Sequence, residues 1–405
     1  MQQADVVVIG GGVIGCSVAY HLAKKGVSVI LVEKNDIASG TSGACDKAVL
    51  LQSKNPGLHL KMALEGIKLF SDLQRDLDVD IEFKNAGGMI VIYTQEQWQV
   101  MEQFVERQNK LGLSVKLLER DEARQKQPAF AKDIVGSTYS PMDSEVNPIY
   151  LTLGFFRGAK KYGAKEMLGT EVKAIKLENG RVCSVVTDHG EIMTRAVVNA
   201  CGVYAPFISA MVGIDVPIVP RRGQIMVTEP VAPLIHGDIN CAKYITAKFK
   251  PELLGNDENA QLGVGLSLGQ TENGNILIGG TREFAGYSKN TTHRALRAVL
   301  KHAAKLVPAL KDISIIRSFA GLRPYTPDGL PILGSVRQVE GFYMAAGHEG
   351  DGIALSAITG RILCDLITKG RTSLDIDISK LSLERFKEED INDFRKSHNC
   401  YGYTL

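Results

Sequence analysis

The fold of this chain is decided by residues 5–15, which read DVVVIGGGVIG. An apolar, β-branched run leads into Gly-x-Gly-x-x-Gly, and a helix-like apolar run follows. A second apolar run, Val29–Val32, ends in Glu33, whose carboxylate can accept hydrogen bonds from a ribose. Strand, glycine turn, helix, strand and acidic residue in this order predict a dinucleotide-binding unit. The alternative is a glycine-rich turn in an unrelated α/β protein.

Each glycine of the turn has a physical role. Gly10 permits a tight turn, Gly12 lets the backbone approach a pyrophosphate, and Gly15 lets the helix pack closely on the strand. The helix begins near Val13 and Ile14, where N–H groups without helical partners can bind phosphate.

Composition excludes several classes of protein. The 405 residues are enough for two domains, or for one large domain with a second grafted onto it. Lys and Arg number 47 against 45 Asp and Glu, so no overall charge favours nucleic acid or an acidic membrane. No apolar run has the length of a membrane span, and residues 1–5 lack the basic start of a signal peptide. We therefore expect a soluble, cytoplasmic protein.

The seven cysteines are scattered, without a Cys-x-x-Cys pair. This pattern argues against a disulfide framework, an iron–sulfur cluster or a structural zinc held by this chain alone, and we predict no metal site. Cys16 and Cys364 lie in helix-like apolar stretches and are expected in the core. Cys45 follows a glycine-rich loop, and we expect it to be a small core residue as well.

The remaining chain combines α/β and antiparallel segments. Residues 216–281 are rich in strands and predict an antiparallel sheet carrying a substrate pocket, while 387–405 are polar and tail-like. A second strand, glycine loop and helix follow at 341–368, more than 300 residues after the first unit. If both units share one sheet, they hold a large two-ring cofactor from both ends. Periodicity predicts further helices over 57–78, 95–111, 148–162 and 292–306, and short strands over 81–94 and 173–199.

Five motifs occur in an order that resembles the FAD-dependent amine and amino-acid oxidoreductases, the family of D-amino-acid oxidase, glycine oxidase and sarcosine oxidase. The resemblance covers about residues 4–386. Residues 42–54, SGACDKAVLLQSK, resemble most the β subunits of heteromeric enzymes such as proline or hydroxyproline dehydrogenase. The motifs are Gly40–Gly43 (GTSG), Arg222–Gln224 (RGQ), 278–283 (IGGTRE), 321–334 (GLRPYTPDGLPILG) and 347–353 (GHEGDGI).

The resemblance implies a Rossmann-like FAD-binding domain, formed by 1–80, 145–215 and 315–386. A substrate-binding domain with an antiparallel sheet is inserted as 81–144 and 216–314, and 387–405 form a C-terminal tail. A helix that begins near Gly352 would place partial positive charge at the flavin pyrimidine, where reduced flavin is negative. The implied FAD contacts are Gly10, Gly12, Val13, Ile14, Gly15, Glu33, Lys34, Ser39, Gly40, Thr41, Ser42, Val172, Cys201, Gly202, Gly321, Arg323, Gly347, His348, Glu349, Gly350, Asp351, Gly352 and Ile353.

Arg323 is the main candidate for substrate binding, because a guanidinium can hold a carboxylate with two hydrogen bonds. The alternative is a structural ion pair. Arg221 and Arg222 rank lower, since either can simply support the loop before Gly223. Tyr244 is a candidate pocket aromatic and equally a core residue.

Loop residues near the implied flavin are further candidates. His348 is a catalytic candidate in this loop, although a lone histidine is more often a local hydrogen-bonding residue. Glu349 and Asp351 either form a solvated loop or recognise an amine.

The implied reaction is hydride transfer from the carbon bearing the amine to flavin N5, which yields an imine. Candidate substrates are D-amino acids, glycine, sarcosine, proline and hydroxyproline. Two other classes stay open: an FAD-dependent 2-hydroxy-acid or glycerol-phosphate dehydrogenase, and a non-catalytic flavoprotein subunit.

Departures from the family narrow the cofactors and partners. No cysteine occurs in 319–335, so FAD should be bound non-covalently. Some heteromeric members attach FMN to a histidine before the mid-chain helix. This chain has Asn147 there, so FMN is possible only at a partner interface. Any iron–sulfur relay must belong to a partner subunit, and a homo- or hetero-oligomer is possible.

Overall fold

The structure, a computed structural model, describes residues 2–243, 245 and 262–398. Its helices are α1 (Val13–Ala23), α2 (Leu58–Asp76), α3 (Gln95–Lys110), α4 (Arg120–Lys126), α5 (Pro148–Lys161), α6 (Ala205–Ala210), α7 (His293–Leu306), α8 (Gly352–Lys369) and α9 (Glu388–Ser397). Its strands are β1 (Gln2–Gln3), β2 (Val6–Ile9), β3 (Val29–Val32), β4 (Ala48–Val49), β5 (Gly88–Ile92), β6 (Lys116–Glu119), β7 (Gly136–Ser140), β8 (Ser144–Glu145), β9 (Lys165–Met167), β10 (Val172–Glu178), β11 (Arg181–Thr187), β12 (Gly190–Met193), β13 (Ala196–Asn199), β14 (Val219–Pro230), β15 (Asp238–Cys241), β16 (Ser267–Gln270), β17 (Asn275–Gly279), β18 (Ile315–Tyr325), β19 (Ile332–Ser335) and β20 (Phe342–Ala346).

A six-stranded sheet has the order β19-β20-β13-β2-β3-β9. All neighbouring strands are parallel except β19, which runs antiparallel to β20. Every residue of β2 and β3 is buried, as expected for apolar strands of a parallel sheet covered on both faces. The predicted unit of strand, helix and strand is therefore confirmed as β2, α1 and β3.

The second glycine unit belongs to the same sheet. Only β13 separates β20 from β2, so the two units do share one sheet, which is the condition under which they hold a large cofactor from both ends. Helix α8 packs on α1, and Ser17 Oγ donates a hydrogen bond of 2.9 Å to the carbonyl oxygen of Ser356. Helices α1 and α8 are thus held together in one layer, although more than 300 residues separate their N termini.

An eight-stranded sheet has the order β18-β14-β17-β16-β15-β5-β7-β6. Its pairs are antiparallel except for β5 with β15. The sheet predicted for 216–281 is therefore present and is larger than predicted. Residues 81–94 contain one strand, β5, and 173–199 contain four, β10 to β13.

The C-terminal segment differs from the predicted tail. Residues 388–397 form α9, whose Ile391 is 5% exposed. Arg395 forms an ion pair with Asp215, and the ring of Phe394 lies 5.9 Å from that of Tyr325. Because α9 packs along one face only, a few apolar residues are enough for it. The polar composition of this segment therefore did not indicate a helix.

Separate buried clusters lie around the two large sheets. One contains Val6, Phe155 and Ile358, and another contains Met226 and Ile278. These clusters support a two-domain organisation, while the predicted boundaries remain a proposal. Within the described ranges, helices sufficiently long and apolar for a membrane crossing are not found.

Candidate active site

The first glycine turn brings three segments into close contact. Gly10 has a φ of +113°, and a Cβ there would lie 2.6 Å from the carbonyl oxygen of Ala200. A Cβ on Gly15 would overlap the carbonyl oxygen of Gly10. Helix α1 then begins at Val13 without a side-chain N-cap on Gly12, and the backbone N–H of Val13 donates to Ser42 Oγ at 3.0 Å. The glycine turn thus leaves no room for side chains at Gly10 and Gly15. The N terminus of α1 is not capped by a side chain at Gly12 and can bind a ligand.

Glu33 lies directly after β3 and contacts the same glycine turn. Its Oε2 accepts a hydrogen bond of 2.7 Å from the N–H of Gly11, and its Oε1 accepts one of 2.8 Å from Asn35. These bonds orient the carboxylate at the mouth of the turn. This is the position at which the sequence predicts contact with a ribose.

The second glycine loop connects β20 to α8. Helix α8 begins at Gly352 with Asp351 as its N-cap residue, and no side-chain capping bond is made there. Asp351 instead forms an ion pair with Lys54, and its Oδ2 lies 3.1 Å from His59 Nε2. Burial opposes ionisation of Asp351, yet Lys54 and His59 hold its pKa well below the usual range. The Asp351 carboxylate therefore anchors the second glycine loop to Lys54 and His59.

His348 is buried in the same loop, with 3% of its surface exposed. Its Nε2 lies 3.0 Å from Thr359 Oγ1, within α8. Burial lowers the pKa of His348 to about 3, against the opposing effect of Asp351. The imidazole is therefore neutral at pH 7, which favours a hydrogen-bonding role over that of a general base; its contact with cofactor or substrate remains a prediction.

Arg323 lies on β18, close to both loops. Its Nη1 donates a hydrogen bond of 3.0 Å to the carbonyl oxygen of Thr281. A Cβ on Gly223 would overlap the guanidinium, and a Cβ on Gly350 would lie 3.3 Å from its Nε. Thr41 Oγ1 donates to the carbonyl oxygen of the adjacent Leu322 at 2.6 Å. Arg323 is thus placed where the two sheets meet.

The neighbouring arginines have different surroundings. Arg222 is 7% exposed, and its Nη2 lies 3.0 Å from Glu283 Oε1. Its Nη1 donates to the carbonyl oxygen of Asn290 at 3.0 Å. Arg222 therefore supports the loops around β14. Arg221 forms an ion pair with Glu349, which brings it to the second glycine loop.

Asn147, where the resemblance implies an FMN-bearing histidine in some heteromeric members, caps a helix. Its Oδ1 accepts hydrogen bonds from the N–H groups of Ile149 and Tyr150, at 3.1 and 3.2 Å. Asparagine is a preferred N-cap residue, so this position starts α5.

One cavity of about 440 Å³ extends from Glu33 and Val172 to Arg323 and His348. This volume lies within the range of about 300–1,000 Å³ of typical ligand sites. Both glycine units line it, and this is the arrangement needed to hold FAD from both ends. The predicted residues that line it are Gly10, Gly12, Val13, Ile14, Glu33, Lys34, Ser39, Gly40, Thr41, Ser42, Val172, Cys201, Gly202, Gly321, Arg323, His348, Glu349, Gly350, Gly352 and Ile353.

Three predicted contacts lie outside the lining, namely Gly15, Gly347 and Asp351. Gly15 serves the close packing of α1, and Asp351 turns towards Lys54. Tyr244 lies outside the residues that the structure describes. Within the described part of the chain, no group of three or more His, Cys, Asp or Glu side chains could hold a metal ion.

Sequence reasoning missed part of the lining. Cys45 was expected in the core, yet it is half-buried and lines the cavity beside Asp46. Tyr204 and Phe207 also line the cavity, although no motif singled them out. Gly223 was visible within the quoted Arg-Gly-Gln motif, but its contact with Arg323 depends on strand pairing.

Two glycine units of one largely parallel sheet face Arg323 of the second sheet across the cavity, an arrangement that fits a dinucleotide cofactor beside a carboxylate-binding group. Residues 5–366 match the FAD dependent oxidoreductase family, and the chain belongs to this family.

Individual relatives span nearly the whole chain. Hydrogen cyanide synthase subunit HcnC of Pseudomonas aeruginosa is 30% identical, over 95% of this chain and 97% of that protein. Glycine oxidase of Geobacillus kaustophilus is 28% identical, over 93% and 96%. The crystal structure of L-proline dehydrogenase from P. horikoshii has a TM-score of 0.86 at 30% identity, over 96% of this chain and 99% of that chain. These comparisons confirm the predicted family, fold class and FAD cofactor, and the assignment as an oxidoreductase of amino acids or amines.

Proposed function

We propose that this chain oxidises the C–N bond of a small amino acid or secondary amine whose carboxylate binds Arg323. The observation that carries the proposal is the position of Arg323, on the cavity wall between the two glycine loops. A planar guanidinium binds a carboxylate with two parallel hydrogen bonds, which fixes the orientation of the substrate as well as its position.

FAD, when bound, accepts the hydride from the carbon that bears the amine. The protein's own contribution is positioning. Gly10, Gly12 and Glu33 would hold the pyrophosphate and ribose, and the N terminus of α8 would face the pyrimidine end. Arg323 would then orient the substrate carbon for this transfer, and such fixed orientation lowers the entropic part of the barrier. No side-chain base is required if the amine reacts unprotonated.

The relatives support this class of substrate. One is named a glycine oxidase and another an L-proline dehydrogenase, so small amino acids are the substrates to test first. We also propose that FAD is held without a covalent bond, so that acid precipitation should release all of it into the supernatant.

The test is the visible spectrum of the purified flavoprotein, mixed without oxygen with D-amino acids, glycine, sarcosine, proline and hydroxyproline. Bleaching by one of these amines, with 2-hydroxy acids and glycerol phosphate inert, supports the proposal. Bleaching by a hydroxy acid alone would assign the chain to the alternative class of dehydrogenase. A flavin that stays oxidised with every compound would indicate a non-catalytic subunit.

We propose further that the chain works with a partner subunit. HcnC is named a subunit of hydrogen cyanide synthase, and one of the subunits of an opine oxidase from Rhizobium meliloti is 26% identical over 95% of this chain. Such a partner would carry the iron–sulfur centre or second flavin. The test is purification of the tagged chain from its native cells. A stoichiometric partner supports the proposal, and a lone chain with full oxidase activity contradicts it.

A further inference from the structure

Arg221 and Arg323 lie directly opposite each other on two neighbouring strands. They are partners in the antiparallel register of β14 and β18. Side chains of directly opposite residues share one face of the sheet, and two like charges in this arrangement repel each other. A second guanidinium therefore stands beside the proposed carboxylate site, and its charge needs a counterion.

Glu349 supplies this counterion. Its Oε1 accepts a hydrogen bond from Arg221 Nη2, and the two side chains are only 11% and 13% exposed. Its Oε2 accepts from the N–H of Gly350, the residue that lies against Arg323 Nε. The carboxylate is thus tied to Arg221 within the immediate surroundings of Arg323.

The backbone conformation at Glu349 is unusual and helps to position its side chain. Its φ is +51°, a left-handed conformation that residues other than glycine seldom adopt. The N–H of Glu349 donates 3.0 Å to the carbonyl oxygen of Pro324, directly after Arg323. Arg221 is also held from another side, because its Cζ lies 4.3 Å from the centre of the Tyr325 ring. Both partners of the ion pair are therefore fixed in position.

Glu349 lines the cavity and Arg221 does not, so a ligand meets the carboxylate rather than the guanidinium behind it. The ion pair of Arg221 and Glu349 carries no net charge, and Arg323 adds a positive charge beside it. One carboxylate on a substrate balances this charge at Arg323. A second carboxylate would meet Glu349, and repulsion of the wrong ligand contributes to specificity as much as attraction of the right one.

We propose that Glu349 determines substrate specificity, by occupying Arg221 so that the site accepts amines with one carboxylate and rejects those with two. This inference rests on the proposed function of Arg323 as the carboxylate-binding residue. It narrows the substrate class to monocarboxylic amino acids such as those proposed above.

The test uses the FAD-loaded protein and two simple probes, acetate with one carboxylate and malonate with two. Their dissociation constants are measured from the change that each causes in the flavin absorption spectrum, so turnover is not needed. In Glu349→Gln, affinity for malonate relative to acetate should rise at least about tenfold, because one repulsive charge is removed and the ion pair with Arg221 is broken. Glu349→Asp keeps the charge and should keep the preference for acetate. An unchanged ratio in Glu349→Gln would overturn the inference.

A double variant guards against indirect effects of breaking the ion pair between Arg221 and Glu349. Glu349→Gln combined with Arg221→Gln removes both charges and should return the ratio close to that of the wild type. A malonate preference that persists in the double variant would contradict a role for Arg221.

Arg323→Met separates the two proposals. If it leaves the affinities for both probes unchanged, the carboxylate-binding role fails and the specificity inference fails with it. If it weakens both probes while Glu349→Gln leaves their ratio unchanged, the specificity inference alone is wrong.

Discussion

The guanidinium of Arg323 lies against the backbone of Gly223, so closely that a Cβ at residue 223 would overlap it. The two residues belong to adjacent strands, β18 and β14. Glycine at 223 therefore leaves the space in which the Arg323 guanidinium lies. A larger residue at 223 would displace Arg323.

Gly223→Ala should displace Arg323 and raise KM for the amine substrate about tenfold or more, because a misplaced guanidinium loses part of a charge-assisted bond. FAD affinity should change little. Steady-state kinetics and FAD titration measure the two effects. In an Arg323→Met background the same glycine substitution should have little further effect on KM, since the group that it displaces is gone. Fully additive effects would show that Gly223 acts elsewhere.

Glu33→Gln should weaken FAD binding about 10- to 100-fold, which corresponds to the loss of a hydrogen bond to a charged group, about 1.5–3 kcal/mol. The same change weakens the bond from the N–H of Gly11 that orients this side chain. Fluorescence titration of the apoprotein with FAD measures the affinity. The matched control is Asp36→Asn, three residues along and exposed. Equal affinities in the two variants would contradict a cofactor role for Glu33.

His348 should make stability depend on pH. Its pKa is lowered to about 3 from 6.5 by burial, so the unfolded chain takes up a proton that the folded chain does not. The stability that the neutral imidazole contributes is therefore complete above about pH 6.5 and falls as the pH drops towards 3, by at most about 1.4 kcal/mol per pH unit.

His348→Gln should remove this dependence, because glutamine does not titrate. The free energy of unfolding of the variant, relative to the wild type, should improve as the pH falls from 7 to 4 in urea titrations. His236→Gln, at an exposed position, serves as the control and should follow the wild type. Parallel curves for His348→Gln and wild type would show that folding does not lower the pKa of this histidine.

Local sequence patterns predicted the elements that hold the cofactor. The strand before Gly10, the helix that begins at Val13 and the position of Glu33 are each determined by adjacent residues and by the spacing of apolar residues. The same holds for β20 and α8, whereas the sheet that they share with β2 was left open by the sequence and is established by the structure. The FAD site was thus predictable from residues within short stretches.

Contacts that depend on strand register were not predictable. Arg221 faces Arg323 only because β14 and β18, about a hundred residues apart, pair in one particular register. Asp351 lies in a glycine loop and was a candidate for contact with the flavin or an amine, but Lys54 turns it away from the cavity. The C-terminal helix α9 was not predicted, because it has few apolar residues and their role depends on packing against residues that are distant in sequence.

The most direct test of the central claim compares wild type and Arg323→Met in anaerobic stopped-flow reduction by the best amino-acid substrate. The dissociation constant from the saturation curve should rise about 10- to 100-fold in the variant, by the loss of about 1.5–3 kcal/mol of charge-assisted bonding, while FAD stays bound. The amide of the same amino acid, which lacks the carboxylate, should react equally poorly with both proteins. An unchanged dissociation constant for the amino acid in Arg323→Met would contradict the account.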